Sequence, residues 1–496
     1  MKAAPDDVII VGGGHNGLVA AAYLARAGRR VTVLEARGVL GGAVAGDRIF
    51  PGVDARLSRF SYLVSLLPRR IVHELGLDIE LRSRPVRSYT PVGDGGVLIS
   101  GEAAEVSRLD RGLQAVATVL EPTLTQPLPR AADLQARLDP ELWAALVERP
   151  IGALIESSTA DDTARGVLLT DALIGTFSYA HDPSLRQNRC FLYHVIGSGT
   201  GEWRVPVGGM GAIADELVRA ANRAGARLVT NAPVVAIEAS DSGPTTIRLA
   251  DGQVRSADHV LVNCGPAVLD RLVGMPSSAP VGSQLKINML LRRLPRLRSG
   301  LDPEVGFAGT LHLGQGYARL QQAYEVAAAG RIPDPLPCEV YCHTLTDRSI
   351  LGPALRDRGY HTLTLFGLHT PIDLFRADPG GAREQALQAA LRALQDALAE
   401  PLEDCLAVDG SGRPCLEVMT PLDIEAELNM PGGHIFHGDL DWPWLADDLQ
   451  PANPAERWGV ATRHPGVLWC GSGARRGGAV SGLGGHNAAM AVLEAG

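Results

Sequence analysis

An α/β fold, with one parallel-sheet domain interleaved with an α+β domain, is predicted by three stretches of this chain. Residues 7–42 read as strand, glycine turn, helix, strand, acid and glycine pair. Residues 205–264 return to the same alternation, and residues 468–490 close it with a strand, a glycine-rich loop and a helix. At 496 residues the chain exceeds one ordinary hydrophobic core, so two domains are expected. The expected partition gives 1–60, 205–265 and 456–496 to the parallel-sheet domain, and 61–204 and 266–455 to the α+β domain that covers it.

The first stretch carries the most chemistry. Asp7-Val8-Ile9-Ile10-Val11 is an apolar strand, and Gly12, Gly14 and Gly17 then form Gly-x-Gly-x-x-Gly. Gly12 permits the tight turn, Gly14 lets the backbone approach a pyrophosphate, and Gly17 lets the helix lie close on the sheet. The pyrophosphate would sit on the helix N-terminus beside His15 and Asn16, among unpaired N–H groups at the positive end of the dipole. Ala20, Ala21 and Leu24 share a helical face, and Gly28 ends the helix. Glu35, followed by Ala36, closes the next strand where ribose hydroxyls need an acceptor. Together these pieces are a Rossmann-like dinucleotide fingerprint. Gly41-Gly42-Ala43 follow the acid. NAD does not require that glycine pair; it resembles the extended FAD fingerprint of glutathione-reductase-type flavoproteins.

The remaining elements follow in order. Val53–Leu67 starts polar and reads as an apolar helix; Leu113–Leu120, Ala132–Val147 and Ile151–Leu173 also read as helices. Val205–Gly211 is a glycine loop opening a helix over Ala212–Ala224. It lacks a full fingerprint and a following acid, so it is read as a helix start packed on the flavin domain, not as a second nucleotide site. Ala226–Thr230, Val234–Glu238 and Thr245–Leu249 are strands, Asp251-Gly252 a hairpin turn, and His259–Asn263 a buried strand. Gln284–Leu291, Glu339–His343 and His361–Leu368 are expected in one further sheet, with Ala382–Ala399 a long amphipathic helix. At the end, a strand runs into Gly471, Gly473 and Gly478, and a helix begins at Val480. Backbone N–H groups near Ser481 and Gly482 would stabilise the charge that builds on a reduced flavin ring.

Bulk properties exclude several classes. The net charge of −9 argues against a nucleic-acid partner. No apolar run reaches the ~18 residues of a membrane span, and Met1–Asp7 has no secretory pattern, so a cytoplasmic protein is expected. Seven cysteines suit a reducing compartment. Cys338 and Cys342 sit ~13 Å apart if extended, too far to bridge, and are read as core thiols. His434 and His437 have no third ligand at metal spacing, so no metal is expected.

With both ends in view, the chain resembles the phytoene-desaturase-like flavoproteins of the amine oxidase and carotenoid desaturase superfamily, in the branch named pyridine nucleotide-disulfide oxidoreductase domain-containing protein 2. The blocks that carry this run nearly end to end: Gly41-Gly42-Ala43, Phe50-Pro51-Gly52, Ser61-Tyr62-Leu63-Val64-Ser65, His194-Val195-Ile196-Gly197, Gly208–Ala212, Thr420-Pro421-Leu422-Asp423, Pro431–His437 and Cys470-Gly471-Ser472-Gly473. The resemblance implies FAD at Gly12, Gly14, His15, Asn16, Gly17, Glu35, Ala36, Gly41, Gly42, Ala43, Gly471, Gly473, Gly478, Val480, Ser481 and Gly482, with Val234 meeting the adenine. Lys286 stands in a strand similar to the one whose lysine faces the flavin in amine oxidases; it either does so here or points to solvent. Tyr62 and Ser61 line the cavity or cap the next helix, and His437 meets substrate or is a core histidine. Relatives often carry His-Pro where this chain has Arg475-Arg476. The pair either draws an anionic or carrier-bound substrate or lies exposed on the loop.

The implied activity is removal of hydride from a saturated or allylic carbon of an apolar, polyene-like substrate to leave a C=C bond. The alternatives are a redox-neutral isomerase or saturase on the same fold, an FAD-dependent amine oxidase, or a flavin-bearing binding component. Carotenoid desaturases often meet substrate at a membrane surface, but no basic amphipathic helix of that type stands out. Peripheral membrane contact and the oligomeric state stay open at this stage.

Overall fold

A computed structural model describes residues 6–100, 107–199, 201–240 and 243–496. The N-terminal reading over Met1–Pro5 lies outside the described residues. The first sheet is organised around two neighbouring strands, Asp6–Val11 and Val254–Val262, which run parallel with Val8 opposite His259 and Val11 opposite Val262. Asp6–Val11 also pairs in parallel with Val31–Leu34, which pairs with Arg227–Val229. The Val254–Val262 strand changes partners along its length. Its first half closes an antiparallel meander with Thr245–Leu249 and Val234–Glu238, and its second half takes Val467–Trp469 as a parallel neighbour. N-terminal, central and C-terminal segments thus meet in one sheet.

The helix His15–Arg26 leaves the first strand through the glycine turn, and Asn16–Ala22 and Leu24 are all buried in it. Its small residues have a packing purpose. A Cβ at Gly17 would stand 2.3 Å from the Gly12 carbonyl oxygen. A Cβ at Gly485, on the C-terminal helix Leu483–Ala495, would stand 1.9 Å from the Asn16 carbonyl oxygen. Two helices from opposite ends of the chain therefore share one core with Val8, Ile10, Leu18 and Val33.

The second sheet is mostly antiparallel. Its order is Leu416–Met419, Leu285–Leu291, His361–Gly367, Cys338–Tyr341, Thr310–Leu313, Val86–Val92 and Gly95–Ser100. Every residue of Leu285–Leu291 is buried, because the sheet has the cavity wall on one face and the helix Pro379–Gln395 packed on the other. The strand nevertheless alternates: Leu285, Ile287 and Met289 enter the core under that helix, and Lys286 lines the cavity.

Several boundaries differ from the sequence reading. Val53–Leu67 is not a helix: only Leu57–Ser58 is regular, paired with Gly46–Asp47, and the helix starts at Arg69 behind Pro68. Tyr62–Leu67 are all buried, so their apolarity reflects burial on every side and not a helical face. Ala132–Val147 breaks at Asp139-Pro140, where the Asp139 side chain caps a new turn whose first residue is the proline. Ile151–Leu173 breaks at Thr159–Asp161, and Asp161 caps the helix Asp162–Thr170 by accepting from the Ala164 N–H. The last helix begins at Leu483, because Gly482 adopts φ +71° ahead of it. All seven cysteines are unbridged, with Cys338 and Cys342 buried.

Candidate functional site

A cavity of about 2820 Å³ runs between the two sheets. A single small-molecule site fills ~300–1,000 Å³, so this space accommodates more than one ligand-sized body. At one end the lining includes Gly12, Gly14, His15, Asn16, Glu35, Ala36, Gly42, Ala43, Val234 and Val480. Residues from both chain ends and from the central meander therefore face one space, as the FAD assignment requires.

Other glycines and Ser481 act from behind this surface and do not line it. Gly17 lies under Gly12, and the Gly41 N–H donates to the Gly13 carbonyl at 2.8 Å. Gly473 packs on Pro266, Gly478 against Leu440, and Gly482 against Val19. The Ser481 hydroxyl accepts from the Leu483 N–H at 3.3 Å, bracing the turn that leads into the last helix. Gly471 abuts Asn263, a residue the sequence reading passed over. Asn263 donates from Nδ2 to the Gly12 carbonyl at 3.0 Å and also sits against Gly14 and Gly17. It is the post around which the glycines of both termini are wrapped.

The residues present fit a dinucleotide. The helix at Gly14 has no side-chain cap, so its first N–H groups are open to an anion. Glu35 accepts the Gly13 N–H at 2.7 Å on one carboxylate oxygen and the Arg37 N–H at 2.9 Å on the other, which fixes it for a ribose. Four buried atoms of cavity-lining residues have no protein partner: His15 Nε2, Asn16 Oδ1, Arg37 Nη1 and His437 Nδ1. Such atoms are costly unless a ligand or water completes them. Burial lowers the His15 and His437 pKa values to about 4, so both rings are neutral at physiological pH.

Beyond the dinucleotide end, the floor of the cavity is one row of the second sheet. Met419 is opposite Lys286, Lys286 opposite Phe366, Phe366 opposite Glu339, and Glu339 opposite His312. All five line the cavity. Lys286 is 2 % exposed; its Nζ donates to the Ser58 carbonyl at 2.7 Å and lies 5.1 Å over the Phe366 ring. The solvent-facing alternative therefore falls. Burial holds its pKa well below the ordinary lysine value, against the pull of the Glu417 charge. Tyr62 completes an aromatic wall, 4.7 Å from Tyr341 and 6.5 Å from Phe366. It caps no helix, and Ser61 beside it donates to the Ala43 carbonyl at 2.8 Å.

His437 lines the cavity, whereas His434 is a core histidine whose Nδ1 accepts from the Phe436 N–H. Arg475 is a correction. It is absent from the lining, its guanidinium pairs with Asp441 at 3.1 Å, and it donates to the Trp444 carbonyl. Arg476 is 1 % exposed and donates to the Thr123, Gln126 and Trp458 carbonyls. Neither arginine lines the cavity; both lash the C-terminal loop to its neighbours.

With this geometry in place, comparison with known proteins is decisive. The family described as flavin containing amine oxidoreductase matches residues 17–403. The chain belongs to that family. Its cofactor is FAD. It is 49% identical to an uncharacterised protein of Mycobacterium tuberculosis over 98% of this chain and 97% of that one. It is 29% identical to the mouse pyridine nucleotide-disulfide oxidoreductase domain-containing protein 2, over 98% of this chain and 93% of the relative. It is 31% identical to the hydroxyneurosporene desaturase of Cereibacter sphaeroides over 54% of this chain and 58% of that enzyme. The branch resemblance seen in the motifs accordingly holds. Among solved structures, a putrescine oxidase variant superposes with a TM-score of 0.59 at 18% identity, covering 99% of this chain and 98% of that one. An oxidoreductase of Methanosarcina mazei gives 0.58 at 17% identity, covering 98% and 99%. These likenesses show a shared α/β fold. As an FAD-dependent oxidoreductase, this family member has no helix among its described residues long and apolar enough to cross a membrane.

Proposed function

We propose that this flavoprotein is a dehydrogenase that removes hydride from a saturated or allylic carbon of an apolar substrate and leaves a C=C bond. The observation that carries this reading is the cavity itself. It continues well past the dinucleotide end between apolar walls that include Leu63, Leu168, Ile174, Phe191, Ile435 and Phe436. Such walls orient a long hydrophobic molecule and exclude water. Bound FAD supplies the hydride acceptor. Forming a C=C bond also releases a proton, and Lys286 is suited to take it at Nζ, because burial disfavours its ammonium form. The partial likeness to a hydroxyneurosporene desaturase supports the same reading.

An amine substrate is the second reading. It is favoured by the aromatic wall of Tyr62, Tyr341 and Phe366, and by the fold shared with a putrescine oxidase. Anaerobic incubation of the holoenzyme with isoprenoid polyenes and, separately, with primary amines decides between them. Loss of the yellow absorbance, with a product lacking two hydrogens across a carbon–carbon bond, is the expected result. Bleaching by amines alone would overturn the proposal.

A further inference from the structure

The row that carries Lys286 continues to two polar residues that the proposed reaction does not use. Glu339 lies opposite Phe366 and His312 opposite Glu339, and both line the cavity while being 3 % and 5 % exposed. Each is anchored on one side only. Glu339 Oε2 accepts the Tyr341 hydroxyl at 2.8 Å, whereas its Oε1 has only the His312 ring at 3.7 Å, beyond hydrogen-bond reach. His312 Nδ1 donates to Gln315 Oε1, which leaves its Nε2 as an acceptor. Polar groups in adjacent positions of one row thus open onto the cavity and meet whatever occupies it. A pure hydrocarbon pressed against them would strip their water and return nothing.

We propose that the substrate carries an uncharged carbonyl oxygen that docks on Glu339 Oε1, beside His312, with its hydrocarbon body lying along the row past Phe366 toward Lys286. This deepens the reading of an apolar substrate and rests on it. The charged surroundings select neutral oxygen over an ammonium group. Arg84, from the segment before the Val86–Val92 strand, stands 5.5 Å over the Tyr341 ring and donates to Thr310. Arg87 and Lys286 share the same lining, and Asp171 is the other acid facing Glu339. Burial, reinforced by Asp171, raises the Glu339 pKa to about 8, against the Tyr341 hydrogen bond and the Arg84 charge. Glu339 therefore keeps its proton at neutral pH and presents an O–H donor to a carbonyl. His312, lowered to about 4 by burial, stays neutral beside it.

The test uses the holoenzyme and three matched probes: geranylacetone, the hydrocarbon with a methylene in place of its carbonyl, and the primary amine at that carbon. Dissociation constants are read from the shift each probe causes in the flavin spectrum. The ketone is expected to bind at least about tenfold more tightly than the hydrocarbon. That preference should vanish in Glu339→Leu and survive in Glu339→Gln, which still offers a donor. In the wild type it should decline above pH 8, and in Glu339→Gln it should not. If Glu339→Leu does not fold, the pH series of wild type against Glu339→Gln supplies the second reading, and a wild-type preference unchanged above pH 8 would overturn the inference. Equal binding of ketone and hydrocarbon, or tighter binding of the amine, would overturn the inference. Anaerobic bleaching reports on the reaction and the dissociation constants on recognition, so either can fail without the other.

Discussion

Asn263 donates a 3.0 Å hydrogen bond from its side chain to the carbonyl of Gly12, across more than half the length of the chain. The bond joins the end of the Val254–Val262 strand to the turn on which the pyrophosphate is expected to rest. Replacing Asn263 with Leu leaves that carbonyl unpaired and crowds the surrounding glycines. The expected effect is an FAD dissociation constant raised by one to two orders of magnitude, matching ~1–3 kcal/mol for an orphaned buried acceptor. Fluorescence titration of the apoprotein with FAD measures it, and unchanged affinity would remove Asn263 from the flavin-binding architecture.

Arg475 and Arg476 are neighbours with opposite expectations. Arg476→Ala strands the three backbone carbonyls it serves, and a loss of more than ~3 kcal/mol is expected. Arg475→Ala breaks a half-exposed pair with Asp441 and one bond to the Trp444 carbonyl, and the loss should stay within ~2 kcal/mol. Denaturant unfolding of both variants makes the comparison. Equal losses would mean that the buried network contributes nothing beyond a surface pair.

Lys286→Met keeps the length of the side chain and removes the amine. The variant should retain its FAD, since Lys286 bonds Ser58 and not the glycine turn. Its rate of anaerobic flavin reduction by substrate should fall about 100-fold, within the range of a lost general base. Stopped-flow reduction at several pH values tests this, and an unchanged rate would leave Lys286 as a wall residue only.

Glu339 links stability to pH. Its folded pKa, about 8, lies above the ordinary carboxylate value of 4.5. The folded state therefore holds a proton that the unfolded state has lost between those values. The resulting stabilisation is complete below pH 4.5 and is lost as pH rises through about 8. Glu339→Gln removes the dependence. Its melting temperature should gain on that of the wild type between pH 5 and 8 and run parallel to it above pH 8. Parallel curves throughout would mean that Glu339 titrates normally.

Buried histidines act in the opposite direction. Burial lowers His15, His312, His361, His434, His437 and His486 to about 4, from the ordinary histidine value of 6.5. The unfolded chain binds protons at these sites first, so stability is present above pH 6.5 and lost as pH falls toward 4, with up to ~1.4 kcal/mol per pH unit for each group. Melting curves from pH 7 to 5 should fall steeply, with flavin release accompanying the loss because His15 and His437 line the cavity. A flat profile would contradict the burial of these rings.

What the sequence made legible was local chemistry. Gly12, Gly14, Gly17 and Glu35 could be assigned because a tight turn, a helix start and a strand end are written in consecutive residues. The floor of the cavity was not legible. Lys286, Phe366, Glu339 and His312 come from four separate strands, and their alignment depends on registers that no periodicity encodes. Apolar runs misled wherever burial was complete on all sides, as at Tyr62–Leu67. The arginine pair misled because sequence does not say which loop charge is turned inward. Asn263 escaped notice because its importance lies in the glycines packed around it, from segments far away in the chain.

The strand Val254–Val262 has a temporal consequence. Its neighbours in the sheet are Asp6–Val11 on one side and Val467–Trp469 on the other, and the last helix lies on the first. While the ribosome is still adding residues before position 467, the dinucleotide pocket lacks a wall. A complete dinucleotide pocket therefore forms only once Ser472, Ala479 and Val480 have joined its lining.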